Sequence, residues 1–188
     1  MAWELCTFAD LKKFLGLTGT AIADYPALEV IKPSVEYAIE KYLGRQLETT
    51  ERTETFYLTG PTAMVSLKAL PVASVSSLSI TMPNGSTGTY TVDDYYITQY
   101  GLATYVDLND AKVEITYTGG IGTDVADVFN NINRAAVLQT SFEFQTKDNV
   151  GAETVSMEGG STSRPELGLL KEVKRLLAEH LHPLKTTG

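Results

Sequence analysis

Few residues in this sequence have the type and spacing that chemistry requires. The two histidines, His180 and His182, lie two residues apart on a predicted helical turn, so their rings point in different directions. Asp93 and Asp94 are adjacent, and in an extended segment adjacent side chains face opposite sides, so we interpret the pair as a turn or a solvated face. One cysteine, Cys6, forms neither an internal disulfide nor a cysteine-based zinc site and is predicted to be a small buried side chain. The sequence therefore predicts no catalytic residue, no metal site, no cofactor and no enzyme activity.

A glycine-rich stretch lies where a phosphate-binding loop could form. Gly119, Gly120 and Gly122 stand between a predicted strand and a predicted helix, and backbone amides at such a junction can bind anions. No Gly-Lys-Ser/Thr follows, and Asp124 would repel a phosphate. We interpret the stretch as a flexible turn.

Tyrosine is concentrated in the middle of the chain. Six of the ten tyrosines lie between Tyr90 and Tyr117. Aromatic side chains on strands can pack in a core, form a protein interface or stack on nucleic-acid bases. Acidic side chains outnumber basic ones between Arg52 and Gly120, which disfavours nucleic acid and leaves core packing and an interface open.

Composition narrows the class of protein. The chain has 188 residues, of which 43% are hydrophobic, and this is enough to form one core. Its net charge of −8 disfavours electrostatic binding to DNA. No apolar run reaches the ~20 residues that span a bilayer, and the first residues lack a signal-peptide pattern, so we expect a protein that is made and kept in the cytoplasm and has no membrane contact. From Arg164 onward basic residues outnumber acidic ones, which is compatible with pairing to an acidic partner or to another copy and equally with a solvated helix that has no partner.

Helical patterns flank a strand-rich middle. Thr7 and Asp10 form a predicted capping box before a short helix that ends at Gly16. A second helix is predicted from the apolar stripe between Leu28 and Leu43, with a kink or a break at Pro33. Turn residues and β-branched residues then predict seven strands: 53–58, 63–67, 75–82, 89–92, 95–98, 104–108 and 113–117. Pro83, Asn84, Gly85 and Ser86 predict a hairpin turn.

Helices return after the strands. A third helix is predicted from Asp124, with Asp124 and Asp127 in its first turn, and a last amphipathic helix runs from Pro165 to about Leu181. Residues 149–163, including Gly151, Gly159, Gly160 and Ser161, predict a flexible linker, and residues 183–188 a mobile tail. The predicted fold is α+β, one domain in which a bundle of about four helices (1–51 and 121–188) carries a β-rich insertion (52–120).

The order of several short motifs resembles the head-tail connector proteins of long-tailed bacteriophages, also called adaptor or head-completion proteins. The matching pieces are Leu11–Gly16, Ala38–Arg45, Leu70–Val75 and Ile115–Gly120. Each piece is short, and the specificity lies in their order and spacing.

The resemblance implies a structural protein of the virion neck. Such adaptors bind the portal after DNA packaging and form a ring to which the next neck component, a stopper or tail terminator, attaches. It further implies a homo-oligomeric ring, dodecameric in the virion with a monomer allowed before assembly, and packaged DNA meeting the chain only through the ring lumen. Carried over by position, the portal contact would comprise Arg175, Leu177, Leu181, His182, Pro183, Leu184 and Lys185, and the loop facing the stopper or tail would comprise Pro83, Asn84, Gly85 and Ser86.

Two alternatives remain at this point. A stopper or tail-completion protein of the same neck would be dominated by strands. A monomeric module that binds a carbohydrate or a peptide would present a concave aromatic face on its tyrosine-rich sheet.

Overall fold

The computed structural model describes residues 3–59, 64–90, 95–98, 101–104, 110–147, 154–157, 160–163 and 168–182. Within these ranges the chain forms four α-helices: α1 Phe8–Leu15, α2 Pro26–Leu43, α3 Asn130–Thr146 and α4 Lys171–Leu177. The strands in the same ranges are β1 Thr50–Tyr57, β2 Met64–Val65, β3 Val72–Thr81, β4 Thr87–Tyr90, β5 Tyr95–Thr98, β6 Gly101–Thr104, β7 Lys112–Gly119, β8 Thr154–Met157 and β9 Gly160–Ser163. The predicted α+β class, with strands inserted between the second and third helices, is confirmed.

The chain divides into two compact units. The helical unit comprises Met1–Leu43 and Asp124–His180, and the sheet unit comprises Gly44–Thr123 and Leu181–Gly188.

In the helical unit, α1 begins and ends as its sequence predicts. The Thr7 hydroxyl accepts a hydrogen bond from the Asp10 amide (3.1 Å), and the Asp10 carboxylate accepts one from the Thr7 amide (2.9 Å). Gly16 closes the helix in the left-handed conformation at φ 67°. Burial of Asp10 opposes ionisation, but its hydrogen bonds to Thr7 outweigh burial and lower its pKa.

Helix α2 passes through its proline. Of the predicted kink or break at Pro33, the break is wrong, because α2 is continuous from Pro26 to Leu43, and the kink stays a prediction. An internal proline costs about 3 kcal/mol of helix stability. Leu28 precedes Pro33, Val35 and Ile39 follow it, and all three are at most 1% exposed. Packing on both sides of the proline therefore holds the helix together where propensity alone would divide it.

Helix α3 begins later than predicted. Asp124 and Asp127 cap a short 3-10 turn, Val125–Asp127, instead of the first turn of α3. Val128 is extended after this turn and buried, and α3 starts at Asn130. The two carboxylates stabilise the turn that leads into the helix, because their oxygens accept hydrogen bonds from backbone amides.

The sheet unit contains a four-stranded antiparallel sheet in the order β1-β7-β3-β4 and a three-stranded sheet in the order β2-β6-β5. β7 lies between β1 and β3 and supplies Val113, Ile115 and Tyr117 to the core, each 0–1% exposed. The Tyr117 hydroxyl accepts a hydrogen bond from the Ala69 amide (3.0 Å) and donates one to the Glu54 carboxylate. Burial, assisted by that carboxylate, raises the pKa of Tyr117.

The glycine-rich stretch predicted as a flexible turn begins inside β7. Gly119 is the last residue of β7 and pairs with Thr50 and Val72, and the Gly120 amide donates to the carbonyl of Pro71 (3.1 Å). A Cβ on Gly119 would overlap the backbone carbonyl of Ala69. A turn at Gly119 is therefore wrong, since close packing of neighbouring backbones is what requires glycine here, and the flexibility of Gly120 and Gly122 stays a prediction.

Candidate partner-binding surfaces

Helix α4 carries the candidate portal contact, and its apolar side is already occupied. Val173 and Leu177 are fully buried in the helical unit, whereas Lys171, Lys174 and Arg175 are exposed. The four-residue spacing of Val173 and Leu177 places them on one helix face, as the sequence predicts. Within the described part of α4, the surface open to a partner is therefore the polar one.

A buried glutamine on α3 fixes the start of α4. Gln139 is 1% exposed, and its side-chain oxygen accepts a hydrogen bond from the Leu170 amide (3.0 Å). Its amide nitrogen donates to the Gly168 carbonyl (3.3 Å) and to the Glu143 carboxylate (2.8 Å). Because Leu170 is the N-cap of α4 and its own side chain makes no capping hydrogen bond, Gln139 performs a capping role from another helix. Sequence reasoning missed Gln139, since a polar residue in a helix gives no signal of such a long-range bond.

The exposed charges of α4 are partly paired with one another. Arg175 donates to both carboxylate oxygens of Glu172, at 3.0 and 2.7 Å. The hydrogen bonds with Arg175 lower the pKa of Glu172, and the same contacts raise the pKa of Arg175. Lys171 and Lys174 flank this pair and are exposed, so the outer side of α4 keeps a positive balance.

The other described residues expected at the portal contact are less exposed to solvent than Arg175. Leu177 is buried in the helical unit, and Leu181 and His182 belong to the sheet unit, where Leu181 is half-buried and His182 is 6% exposed. The His182 Nε2 lies 3.0 Å from the carbonyl oxygen of Leu67 and 3.3 Å from the Ser66 hydroxyl. This burial argues against His182 as a direct contact to the portal. Pro183, Leu184 and Lys185 lie outside the described residues.

The other histidine stacks on an aromatic ring. His180 lies parallel to Phe129 with ring centroids 4.9 Å apart, while Phe129 remains 47% exposed. Stacking accounts for His180 as a packing residue. Among the described residues, no group of three or more His, Cys, Asp or Glu side chains is placed to hold a metal ion.

The predicted loop toward the next neck component is an exposed hairpin tip. Pro83, Asn84, Gly85 and Ser86 connect β3 to β4, and all four are exposed. The Asn84 side chain accepts hydrogen bonds from the Ser86 amide (2.9 Å) and hydroxyl (2.6 Å), and Gly85 has φ 82°. The predicted hairpin turn is confirmed, and its side-chain bonds give a defined surface on the sheet unit.

The predicted linker contains regular structure in its described part. β8 and β9 pair as a two-stranded hairpin, and Gly160 and Ser161 begin β9. Gly151 and Gly159 lie outside the described residues. The sequence missed these strands because Gly, Ser and Thr in a short run are equally typical of loops. The mobility of the segment stays a prediction.

Most of the described tyrosines in the concentrated region are used for packing. Tyr117 is fully buried, and Tyr90 and Tyr95 pack against the core of the sheet unit. Tyr96 on β5 is 50% exposed, and outside that region Tyr57 on β1 is 78% exposed. Tyr100, Tyr105, Asp93 and Asp94 lie outside the described residues. The structure therefore favours the core interpretation for Tyr90, Tyr95 and Tyr117.

Helix α2 has a second apolar side that the sequence analysis overlooked. Val30 is 72% exposed and Tyr37 is 68% exposed, seven residues apart on the side opposite buried Leu28, Val35 and Ile39. The signal was present in the sequence, because apolar residues occur on both sides of the predicted helix. Such exposed apolar pairs are typical of surfaces that a partner covers.

A groove lies between α1 and α3 in the same unit. It has a volume of about 460 Å³, and its lining consists of Asp10, Lys13, Phe14, Asn133, Arg134, Val137 and Leu138. Phe14 is 56% exposed and Val137 is 7% exposed, so the groove has an apolar floor with two cations beside it. Neither of the two surfaces was predicted as a site.

The chain matches a known family over almost its full length. The family model described as "Head completion protein" matches residues 4–180. The chain belongs to the head completion protein family. This confirms the family predicted from the order of the motifs. No significant match was found among curated protein sequences.

Solved structures of head-to-tail regions share the fold of this head completion protein. A chain from the neck of an empty gene transfer agent (GTA) particle, computed with C6 symmetry, aligns with TM-score 0.61 and 16% identity. A chain from the neck of the native GTA particle, computed with C12 symmetry, aligns with TM-score 0.58 and 16% identity, and one from the native GTA virion with TM-score 0.55 and 18% identity. Each alignment covers 100% of this chain and 98% of the other chain.

None of the helices in the described ranges is long and apolar enough to cross a membrane.

Proposed function

We propose that this head completion protein is a structural, non-enzymatic adaptor in the neck of a long-tailed phage or a phage-like particle. It binds the portal after DNA packaging, forms a homo-oligomeric ring, and presents a surface to the next neck component, a stopper or tail terminator. Packaged DNA passes through the lumen of this ring. The family match over residues 4–180 is the observation that carries the proposal.

The fold and the symmetry of similar structures support a ring. The GTA necks that share this fold are computed with C6 and C12 symmetry. A twelvefold ring also has sixfold symmetry, so both descriptions are compatible with twelve copies. The stopper and tail-completion alternative is less well supported, because α1–α4 dominate the described chain outside residues 52–117.

The monomeric binding module also has less support. It requires a concave aromatic face, yet Tyr90, Tyr95 and Tyr117 pack in or against the core. Among the described residues of the sheet unit, the exposed tyrosines Tyr57 and Tyr96 stand on two different sheets.

The exposed side of α4 is the proposed portal contact. Lys171, Lys174 and Arg175 are exposed there and suit an acidic surface on the portal. Leu177 and His182 are buried and hold the segment in place instead of reaching the partner. The exposed tip at Pro83–Ser86 is the proposed contact for the next neck component.

The test is co-sedimentation of the purified chain with DNA-filled, tailless heads. Point substitutions are preferable to truncation, because removing α4 would also remove buried Val173 and Leu177 from the core. We expect saturable binding by the wild type and about tenfold weaker binding by the Lys174→Glu/Arg175→Glu double variant. Lys112→Glu, a charge reversal at a half-exposed lysine of the sheet unit, is the matched control and should bind as the wild type does.

Each other outcome has a distinct meaning. Unchanged binding by the double variant would remove the contact from α4 while keeping the adaptor role. Binding to isolated tails without binding to heads would contradict the adaptor role and favour tail completion.

A further inference from the structure

The outer side of α2, the side that faces away from buried Leu28 and Ile39, is apolar and is expected to bind a partner. Pro26, Val30, Pro33 and Tyr37 follow one another at four- and three-residue steps and are all exposed. The opposite side of the helix is already buried through Leu28, Lys32, Val35, Ile39 and Leu43. A helix with apolar residues on both sides is typical of one that is buried on both sides.

The groove between α1 and α3 has the complementary character. Phe14, Val137 and Leu138 supply apolar surface, and the cations Lys13 and Arg134 outnumber the one carboxylate of the lining, Asp10, which is already hydrogen-bonded to Thr7. Its volume of about 460 Å³ lies within the range of sites that hold side chains or small molecules. Glu29, which is exposed beside Val30 on α2, provides the opposite charge.

Cyclic rings are built from two different surfaces on each copy. A head-to-tail contact places one surface of a copy on another surface of the next, whereas two identical surfaces meeting each other would close a dimer. In the described part of the helical unit, the large apolar side chains that are exposed are Phe14, Val30, Tyr37 and Phe129. Phe129 already stacks on His180, so the others mark the outer side of α2 and the groove.

We infer that the outer side of α2 in one copy docks into the α1–α3 groove of the next copy, with Val30 and Tyr37 against Phe14, Val137 and Leu138. Glu29 then faces the cations Lys13 and Arg134 of the neighbour. This inference rests on the proposed ring and specifies which surfaces form it. Tyrosine and arginine at the centre of such a contact are the residue types that most often dominate binding energy.

Disulfide trapping tests the contact directly. Chains carrying Phe14→Cys and chains carrying Tyr37→Cys are mixed and oxidised, both at high concentration and after binding to DNA-filled heads. The native Cys6 does not interfere, because it is fully buried and burial raises its pKa to about 12. We expect a cross-linked heterodimer from the mixture and a ladder of products from the chain that carries both substitutions.

A register control separates a specific contact from random collision. Gln145→Cys is exposed on the same side of α3 as Arg134, eleven residues or about 16 Å further along the helix. A disulfide requires Cα atoms within about 7 Å, so Gln145→Cys mixed with Tyr37→Cys should give little product. Efficient cross-linking of Tyr37→Cys chains with each other would overturn the inference in favour of a twofold contact. Absence of the Phe14→Cys/Tyr37→Cys product in both settings would overturn it as well.

A charge exchange tests the polar part of the contact. Glu29→Arg and Arg134→Glu should each weaken self-association by about tenfold in sedimentation velocity, and the double variant should recover most of that loss. Additive losses in the double variant would show that the two side chains do not meet. Binding of the wild type to heads is scored separately, so failure of the adaptor role and failure of this contact give different results.

Discussion

Replacing Gln139 with methionine should loosen α4 from the helical unit. The substitution keeps the length and most of the volume of the side chain but removes its hydrogen bonds to Leu170 and Gly168. A net hydrogen bond contributes about 1 kcal/mol, and the bond of 3.3 Å is longer than the usual range. With the Leu170 amide left short of a partner, the expected loss is about 2 kcal/mol, or roughly 30-fold in the opening equilibrium.

Two measurements report the loss of stability in Gln139→Met, one for the whole chain and one for α4 alone. Urea denaturation gives the free energy of unfolding, and hydrogen exchange reports the opening of individual amides in Lys171–Leu177. We expect the α4 amides to exchange roughly 30-fold faster in Gln139→Met than in the wild type. The matched control is Gln145→Met, the same substitution at an exposed position of α3, which should change stability by less than about 0.5 kcal/mol. Equal behaviour of the two variants would refute the capping role of Gln139.

Three further predictions concern the helical unit and the sheet unit. Lys32 is 7% exposed and forms ion pairs with two glutamates at 2.8 and 2.9 Å. The Lys32→Ala variant should therefore have a free energy of unfolding about 3 kcal/mol lower than the wild type in urea denaturation. A loss under about 1 kcal/mol would show that the ion pairs are solvated. Gly119→Ala should lower the free energy of unfolding by about 3 kcal/mol in the same assay, because the added methyl group overlaps the Ala69 carbonyl. An unchanged free energy of unfolding would contradict the close approach of the two backbones. Asp10→Ala should cost about 1 kcal/mol at pH 7 through loss of the cap with Thr7. The native pKa of Asp10 is lowered, so its stabilisation is present above the unfolded pKa of about 4 and is lost as the pH falls through the native value. The difference between wild type and Asp10→Ala should therefore shrink by pH 3, and a constant difference would rule out the charged form as its source.

Local sequence signals predicted the elements that local contacts build. The capping pair Thr7 and Asp10, the closing Gly16 and the hairpin tip at Pro83–Ser86 all act within a few residues, so their patterns were sufficient. Strand β5 was predicted with the bounds that the structure gives, Tyr95–Thr98.

The features that sequence missed depend on distant residues. Nothing near Gln139 indicates that its amide caps a helix about thirty residues later, and the continuity of α2 through Pro33 depends on tertiary packing. The same holds for Gly119, whose small size is required by the backbone of Ala69, a residue remote in sequence. The candidate surfaces divide in the same way, because the tip at Pro83–Ser86 was predicted whereas the α1–α3 groove exists only after folding.

The proline inside α2 also changes what that helix offers to another chain. Proline has no amide hydrogen, so Pro33 cannot donate to the carbonyl oxygen of Glu29 as a residue at this position normally would. Glu29 is exposed on α2. A carboxylate binds the planar fork of a guanidinium group through two hydrogen bonds, whereas an ammonium group acts as a point charge. The helix thus gives up one internal hydrogen bond at a residue whose exposed carboxylate, in the inferred contact, is matched better by Arg134 than by Lys13 of the next copy.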